Sequence, residues 1–146
     1  MQKFNLSENI ISKIEFKILN SVPDRDLIVK LYQDAGWWDD SYEKSFIDKI
    51  VSDSFLFAGA FNEQNKLIGM ARALADGISD AYIQDVTVLK NYRNQGIGGN
   101  LIKFLVKELK KHEIDWIGLI GEPGTEKFYQ RLGFEKMNNY IPMKLK

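Results

Sequence analysis

Three closely spaced glycines, Gly96, Gly98 and Gly99, follow a β-branched run and precede a stretch with helical periodicity. Glycine has no Cβ, so the backbone N–H groups of such a turn can approach an anion closely. A helix that begins at the turn also directs unpaired N–H groups and the positive end of its dipole at the same point. An ordinary tight turn also uses glycines, but this arrangement predicts a site for a phosphate group.

The sequence around the glycines, Arg93-Asn-Gln-Gly-Ile-Gly98, resembles the acyl-coenzyme A signature of the GCN5-related N-acetyltransferase (GNAT) superfamily, Arg/Gln-x-x-Gly-x-Gly/Ala. A dinucleotide-binding fingerprint would need a third glycine at Leu101, and a P-loop would need a Gly-Lys-Ser/Thr ending, which is absent. The resemblance implies that acetyl-coenzyme A binds as the cosubstrate. The residues that it implies for cofactor binding are Val86, Thr87, Val88, Arg93, Asn94, Gln95, Gly96, Ile97, Gly98, Gly99 and Asn100.

A second motif, Phe128-Tyr129-x-x-x-Gly133-Phe134, resembles the Phe/Leu-Tyr-x-x-x-Gly-Phe ending of many of these enzymes. The two motifs and the predicted strand order together extend the resemblance over residues from about 13 to 146. The resemblance makes Tyr129 the candidate general acid, which would protonate the departing thiolate of coenzyme A. A phenol with a pKa of about 10 is protonated at neutral pH and can donate to such a thiolate. The alternative is a packed aromatic residue with a bonded hydroxyl.

The reaction that the resemblance implies is direct attack of a neutral amine on the thioester. A backbone N–H near Val88 would stabilise the oxyanion. A protonated amine has no lone pair, so its proton must first be removed. Asp85 and Glu122 are the candidate bases, a water relay would need neither, and either carboxylate could instead be a buried hydrogen-bond acceptor.

The acceptor would lie beside Trp37, Trp38 and Asp85. Aromatic faces and carboxylates suit a cationic amine, and in this family the segment between the first two helices often borders the acceptor site. The other interpretation is that the tryptophans pack a helix junction onto the sheet.

Two departures from the family pattern concern the rigidity of the loop before the Tyr-Arg pair and the contacts to the pantetheine arm. Lys90 stands where a proline commonly precedes the Tyr-Arg pair, and Glu122 and Thr125 stand where many members carry Asn and Ala. The Glu-Pro-Gly-x-x-x-Phe-Tyr variant also occurs in a branch that resembles small arylalkylamine or other amine acetyltransferases. The resemblance therefore implies a primary amine of a small molecule as acceptor. The alternatives are a protein or peptide amine, a catalytically silent acyl-coenzyme A binding or sensor module, and an interaction protein whose glycine turn is only structural.

The periodicity of the chain predicts the elements that must hold these residues. Alternating apolar residues, β-branched runs and turn signals indicate strands, and apolar residues at helical spacing indicate about four helices. The first helix should stop near Gly36, and the longest should follow the glycine turn. The predicted strands are residues 13–20, 54–61, 66–74, 81–88 and 114–120, with a last hairpin of 134–137 and 140–145 and a further short strand before residue 13.

The alternation of apolar residues shifts by one position in the strand that enters the glycine turn. The better core candidates are Ala81 and Ile83 before Asp85, but Val86 and Val88 after it. A β-bulge would produce this slip and would splay the strand from its neighbour. A strand buried on both faces is the alternative. The splay would leave backbone groups with which the pantetheine amides could pair.

The composition excludes several classes of protein. Twenty basic and 20 acidic residues give a net charge of zero, which offers no electrostatic case for nucleic acid or for a polybasic membrane anchor. The chain has no cysteine and one histidine, so we expect no disulfide and no metal site. Without a signal-peptide core or a membrane-length apolar run, we expect a cytoplasmic protein.

Length and periodicity predict one mixed α/β domain over residues 1–146, and the resemblance implies that it is an N-acetyltransferase domain. Its sheet should be twisted, mostly antiparallel and six- to seven-stranded, with strands 4 and 5 parallel and splayed. The expected partner is a small-molecule amine, and the domain is compatible with a homodimer.

Overall fold

The computed structural model describes residues 13–146, in which five strands and four α-helices form. The strands are β1 (Glu15–Ile18), β2 (Leu56–Phe61), β3 (Leu67–Ala75), β4 (Asp80–Val88) and β5 (Trp116–Leu119). The helices are α1 (Arg25–Asp34), α2 (Phe46–Asp53), α3 (Ile97–Lys111) and α4 (Glu126–Arg131), with a 3-10 turn at Lys90–Tyr92. The strand predicted before residue 13 lies outside the described residues.

The strands form one sheet in the order β1-β2-β3-β4-β5. The first three pairs are antiparallel; short turns join β2 to β3 and β3 to β4, whereas α1 and α2 lie between β1 and β2. The strand β4 pairs with β5 in parallel because α3 crosses between them. This arrangement confirms the predicted mixed α/β fold. The described residues contain five strands, however, which is fewer than the six or seven expected.

The core forms where α1 and α3 pack on the central strands. All six residues of β2 are buried, so both faces of that strand are covered. The buried stripe of α3 repeats at helical spacing, as its sequence predicted. Its members are Ile97, Leu101, Ile102, Leu105 and Leu109. The stripe fixes the start of α3 against the sheet, and therefore positions the glycine turn.

The predicted last hairpin, residues 134–137 with 140–145, is wrong, because neither segment forms a strand here. The turn between them does form, with the N–H of Tyr140 donating to the carbonyl of Met137 at 3.2 Å. Only Asn139 has a positive φ, of +67°. A two-residue hairpin needs a primed turn, with a positive φ at its first central residue, and an unprimed turn splays the strands.

The bulge in β4 is confirmed. Met70 pairs with Thr87 and Arg72 pairs with Gln84, so two residues of β4 oppose Ala71 of β3. Asp85 is one of the two, and its φ of +54° is in the left-handed region. Asp tolerates that region better than most residues. The bulge therefore re-aims the side chain of Asp85 at the point where the phase of the sequence slips.

Candidate active site

The strands β4 and β5 part before the end of β4. Their parallel ladder runs from Asp80 opposite Trp116 to Ile83 opposite Leu119 and then ends. Because β4 continues to Val88, its last five residues have no β5 partner on that side. This is the splay predicted for strands 4 and 5.

Backbone groups of β4 face the gap that the splay opens. Residues of an antiparallel pair alternate between those whose N–H and C=O point at the partner and those whose groups point away. The N–H of Leu89 donates to the carbonyl of Ile68 at 2.9 Å, so the groups of Val88 point away from β3. The Val88 carbonyl accordingly accepts from Nε of Arg93 at 3.0 Å. The N–H of Val88 therefore faces the gap.

The glycine turn follows β4 and is held by Arg93. This side chain donates from Nη2 to the carbonyl of Asp34 at 3.0 Å as well as from Nε to Val88, and so ties the turn to the end of α1. Asn94 and Gly96 reverse the chain with φ values of +62° and +79°. Arg93 thus positions the turn, and its contact with a cofactor stays a prediction.

The start of α3 differs from that of α1. At α1 the carboxylate of Asp24 accepts from the N–H groups of Asp26 and Leu27. At α3 the N-cap residue is Gly96, and no side chain within residues 13–146 caps the helix. The first turn of α3 thus keeps N–H groups that point out of the helix.

The space above this helix start is not filled by the protein. A Cβ built on Gly98 would lie 3.7 Å from Phe128 and from Val88, which is ordinary contact. A Cβ on Gly99 would lie 3.5 Å from Leu132. Glycine is therefore not required at position 98 by packing within the chain.

The other predicted cofactor residues differ in what they can offer. The side chains of Thr87, Val88 and Ile97 are buried, so only their backbone can contact a ligand. Val86 lines the cleft, and Gln95 is half-buried in the turn. The side chain of Asn100 donates back to the carbonyl of Gly96 at 2.8 Å and stabilises the turn.

A cleft of about 390 Å³ lies at the splay. It is lined by Trp37, Tyr82, Ile83, Gln84, Asp85, Val86, Ile120, Glu122, Thr125 and Tyr129. The candidate acid, both candidate bases and one predicted acceptor tryptophan thus meet in one place. Trp38 is not in the lining; its ring packs edge-on against Tyr42, with 5.5 Å between centroids.

One oxygen of Asp85 accepts two hydrogen bonds. The hydroxyl of Tyr32 and Nε of Arg72 each donate to Oδ2 at 2.7 Å. Burial, followed by the charge of Asp85, raises the pKa of Tyr32, so Tyr32 remains a donor. Within the described residues Oδ1 accepts no hydrogen bond, and Asp85 therefore has one oxygen to offer to the cleft.

The sequence analysis did not identify Tyr32 and Arg72. Tyr32 lies in the buried stripe of α1, where helical periodicity indicates only a packing role. Arg72 carried a usable signal, because a single charge in the apolar run Leu67–Ala75 must find a partner. That partner is 13 residues away on the next strand, and its identity depends on the bulge.

Tyr129 is half-buried between the rings of Phe128 and Phe134, with centroids 5.0 and 5.8 Å away. Burial is the main cause that raises its pKa, and the negative charge of Glu122 adds to it. Among residues 13–146 its hydroxyl has no hydrogen-bond partner. This is contrary to the alternative of a packed aromatic residue with a bonded hydroxyl.

The loop after β5 explains one departure from the family pattern. The hydroxyl of Thr125 donates to the carbonyl of Glu122 at 2.6 Å and closes the turn through Gly124. Glu122 itself is exposed at the edge of the cleft. Thr125 therefore holds the loop that positions both Glu122 and the start of α4.

No group of His, Asp and Glu side chains that could hold a metal ion occurs among the described residues. Over the same stretch of chain, no helix has the length and apolarity needed to cross a bilayer.

Comparison with known proteins identifies the family of the chain. A sequence model of the acetyltransferase (GNAT) family matches residues 24–134. An uncharacterized N-acetyltransferase, ycf52, of Gracilaria tenuistipitata var. liui is 36% identical over 118 residues, which cover 79% of this chain and 64% of that protein. Histone acetyltransferase TAP1 of Glycine max is 45% identical over 74 residues, 51% of this chain and 32% of that protein. The matched regions thus cover about two thirds and one third of these two relatives.

The fold is also shared with solved structures. A probable acetyltransferase of unknown function from meticillin-resistant Staphylococcus aureus superposes with a TM-score of 0.76. The superposition covers 91% of this chain and 98% of that one at 23% sequence identity. At this identity the likeness establishes the fold alone.

Proposed function

The chain belongs to the acetyltransferase (GNAT) family, and we propose that it transfers the acetyl group of acetyl-coenzyme A to the primary amine of a small molecule by direct attack. The observation that carries this proposal is the cleft at the splay. There the unbonded hydroxyl of Tyr129 and the carboxylates of Asp85 and Glu122 border one space, and β4 continues from Val86 in its lining to the outward N–H of Val88.

The residues of the glycine turn fit the cosubstrate. The uncapped start of α3 offers backbone N–H donors to a pyrophosphate, and Gly98 leaves room for it. The unpaired end of β4 offers amide groups to the pantetheine arm. Bound acetyl-coenzyme A supplies the thioester carbonyl that the amine attacks and the sulfur that leaves.

Two groups of the chain act on the acyl centre in this proposal. The N–H of Val88 donates to the carbonyl oxygen as negative charge develops on it. Tyr129 gives its proton to the departing sulfur. The raised pKa of Tyr129 keeps the phenol protonated over the physiological range, which a general acid requires.

Glu122 is the better candidate to take the amine proton. No hydrogen bond within residues 13–146 engages its carboxylate, whereas Oδ2 of Asp85 already accepts from Tyr32 and Arg72. Asp85 is better suited to orient the ammonium group of the acceptor through Oδ1 before that proton is lost.

The size and lining of the cleft favour a small acceptor. Its walls are the rings of Trp37, Tyr82 and Tyr129, and its charged groups are the two carboxylates, a combination that suits an amine with an apolar body. A protein amine is the second candidate, because one relative is named a histone acetyltransferase.

The test is calorimetric titration with acetyl-coenzyme A, followed by thiol release against aryl, polyamine, amino-acid and lysine-peptide acceptors. We expect binding, and turnover with small amines that exceeds turnover with peptides. Peptide turnover in excess would replace the small-molecule proposal, and absence of binding would overturn the whole function.

Tyr129→Phe separates an enzyme from a silent binding module. We expect turnover to fall about 10²- to 10⁴-fold with cosubstrate affinity unchanged, since only proton donation is lost. Tyr42→Phe is the matched control, because Tyr42 is exposed and does not line the cleft. Equal turnover of wild type and Tyr129→Phe would remove Tyr129 from the mechanism.

A further inference from the structure

The carboxylate of Asp34, the last residue of α1, contacts the loop between β4 and the glycine turn. Its Oδ2 accepts from the backbone N–H of Lys90 at 3.0 Å, and its Oδ1 accepts from Nζ of Lys30 at 2.8 Å. The side chain of Asp34 is only 6% exposed. A negative charge at the C-terminal end of a helix is unfavourable to the helix dipole. Stabilisation of α1 therefore does not explain why an aspartate stands here.

The two hydrogen bonds of this carboxylate differ in their surroundings. Together they lower the pKa of Asp34, the bond from Lys30 more than the bond from Lys90, so the group is ionised at neutral pH. The side chain of Lys30 is more than half exposed, and an ion pair with such a partner contributes little to stability. The bond to the N–H of Lys90 is a charge-assisted bond to the backbone of another element. It is therefore the one that can fix the loop.

The loop is held by the same residue at a second point. The backbone carbonyl of Asp34 accepts from Nη2 of Arg93 at 3.0 Å. Between the two contacts lies the 3-10 turn Lys90–Tyr92, which leads into the glycine turn. Any residue at position 34 would offer the carbonyl, but only a side chain with an acceptor oxygen can hold the N–H of Lys90. The carboxylate thus makes a separate contribution that substitution can remove.

The backbone at Lys90 has the geometry of a proline site. Leu89 has a φ of −53° and a ψ of +141°, and a residue before proline prefers a ψ of about +120° to +160°. Lys90 is the first residue of the 3-10 turn, where the φ of a proline ring is suitable and the turn itself needs no N–H. Lys90 therefore has an N–H that the turn does not use, and Asp34 is the partner of that group.

We propose that Asp34 is a positioning residue of the cosubstrate site, which fixes the backbone at Lys90 as a proline ring would at the same position. This inference rests on the proposed function, because it takes the glycine turn as the place where the pyrophosphate of acetyl-coenzyme A binds. Asp34 is not among the residues that line the cleft, so it acts through the loop and not on the reacting atoms.

The test is a double-mutant cycle of Asp34→Ala and Lys90→Pro, with the affinity for acetyl-coenzyme A measured by calorimetry. Asp34→Ala should weaken binding roughly 10-fold, since binding must then order a loop that is no longer fixed. Lys90→Pro alone should also weaken binding, because Cδ of its ring would lie between the nitrogen and Oδ2 of Asp34, which are 3.0 Å apart. In the double variant the ring has room and restores the constraint, so we expect an affinity within about three-fold of wild type.

Two control variants separate the hydrogen bond to the loop from the ion pair. Asp34→Asn keeps an oxygen that can accept from the N–H of Lys90, and Lys30→Met removes only the ion pair. Both should bind acetyl-coenzyme A within about three-fold of wild type. An affinity of either control as low as that of Asp34→Ala would overturn the proposal, because the charge and not the bond to the loop would then be responsible.

Steady-state kinetics separate a positioning role from a general loss of structure. We expect Asp34→Ala to raise the KM for acetyl-coenzyme A and to keep the kcat of wild type at saturation, because the side chain does not contact the reacting atoms. A roughly 10-fold fall in kcat with an unchanged KM would contradict the role in cosubstrate binding.

Failure of this inference is distinguishable from failure of the proposed function. A wild type that does not bind acetyl-coenzyme A would overturn the proposed function and with it the role of Asp34. A wild type that binds, together with a double variant no tighter than Asp34→Ala, would overturn the role of Asp34 alone.

Amide exchange in the ligand-free protein tests the constraint on the loop without the cosubstrate. The N–H groups of Tyr92 and Arg93 donate to the carbonyls of Leu89 and Lys90 within the 3-10 turn. Their exchange should be faster in Asp34→Ala and should return to the rate of wild type in the double variant. Equal exchange in wild type and Asp34→Ala would show that the carboxylate does not fix the loop.

Discussion

The glycine turn leaves backbone N–H groups uncapped at the start of α3, whereas the wall around Asp85 presents side chains to the cleft. The turn is one continuous stretch, Arg93 to Asn100, whose side chains bond back to its own backbone and to the end of α1. The wall combines Tyr32 of α1, Arg72 of β3 and Asp85 of β4. One half of the site is therefore local in the sequence, and the other exists only after three elements have packed.

This difference determines how mutations should affect the glycine turn and the wall around Asp85. A backbone site is disturbed by a substitution that puts atoms into the ligand's space, as at Gly98. A side-chain site loses hydrogen bonds or leaves a charge unpaired whenever one member is replaced. We therefore expect mutations at Gly98 to affect binding without affecting stability, and mutations of the wall to affect both.

The largest effect should come from Gly98→Asp. A carboxylate at this position puts a negative charge where the phosphate is expected, so acetyl-coenzyme A should bind at least roughly 100-fold more weakly in calorimetry. Gly98→Ala is the control, because its Cβ meets only ordinary contacts. The melting temperature of both variants should stay near that of wild type. Unchanged affinity in Gly98→Asp would remove the turn from the binding site.

Asp85→Asn and Asp85→Ala should affect the wall to different degrees. Asn keeps the tolerance for φ +54° but leaves Arg72 without its counter-charge, which we expect to cost about 1–3 kcal/mol of unfolding free energy. Ala should cost about 1 kcal/mol more, because it also strains the left-handed backbone. Both should raise the KM for the amine and leave the affinity for acetyl-coenzyme A unchanged. Equal stability of the two variants in urea would show that the bulge geometry contributes nothing.

The pH dependence of kcat/KM should show whether the general acid is a tyrosine buried in the cleft or one exposed to solvent. Burial and Glu122 raise the pKa of Tyr129, so the protonated phenol persists to higher pH than in an exposed tyrosine. The alkaline limb of kcat/KM that is due to Tyr129 should accordingly lie above the usual tyrosine pKa. Glu122→Gln should move that limb downward, because it removes a negative charge that favours the protonated form. An upward shift in this variant would contradict the assignment.

The smallest effect should separate the two tryptophans. Trp37 lines the cleft, so Trp37→Phe should raise the KM for the amine a few-fold without changing the melting temperature much. Trp38 packs on Tyr42 instead, so Trp38→Phe should lower the melting temperature by a few degrees and leave KM unchanged. If Trp38→Phe raised the KM for the amine as much as Trp37→Phe, Trp38 would also contact the acceptor.

Much of the fold was readable from local patterns. The stripe of α3 and the alternation of the strands gave the elements, and the phase slip between Ile83 and Val86 indicated the bulge that the register of β3 and β4 confirms. The prediction of the last hairpin was wrong because its central pair, Asn138-Asn139, does not specify which of the two residues takes a positive φ. That choice decides whether the flanking segments pair or splay.

The sequence by itself determined the glycine turn, the Phe-Tyr motif and the absence of cysteine chemistry, because each depends on residues that are close in the chain or on composition. Only the tertiary structure decided that Tyr32 and Arg72 engage one oxygen of Asp85, since Tyr32 is 53 residues and Arg72 is 13 residues from that aspartate. It also decided that Trp37 rather than Trp38 lines the cleft. Side chains that are distant in sequence are brought together by the packing of the helices and by the register of the sheet, and neither is encoded in a local motif.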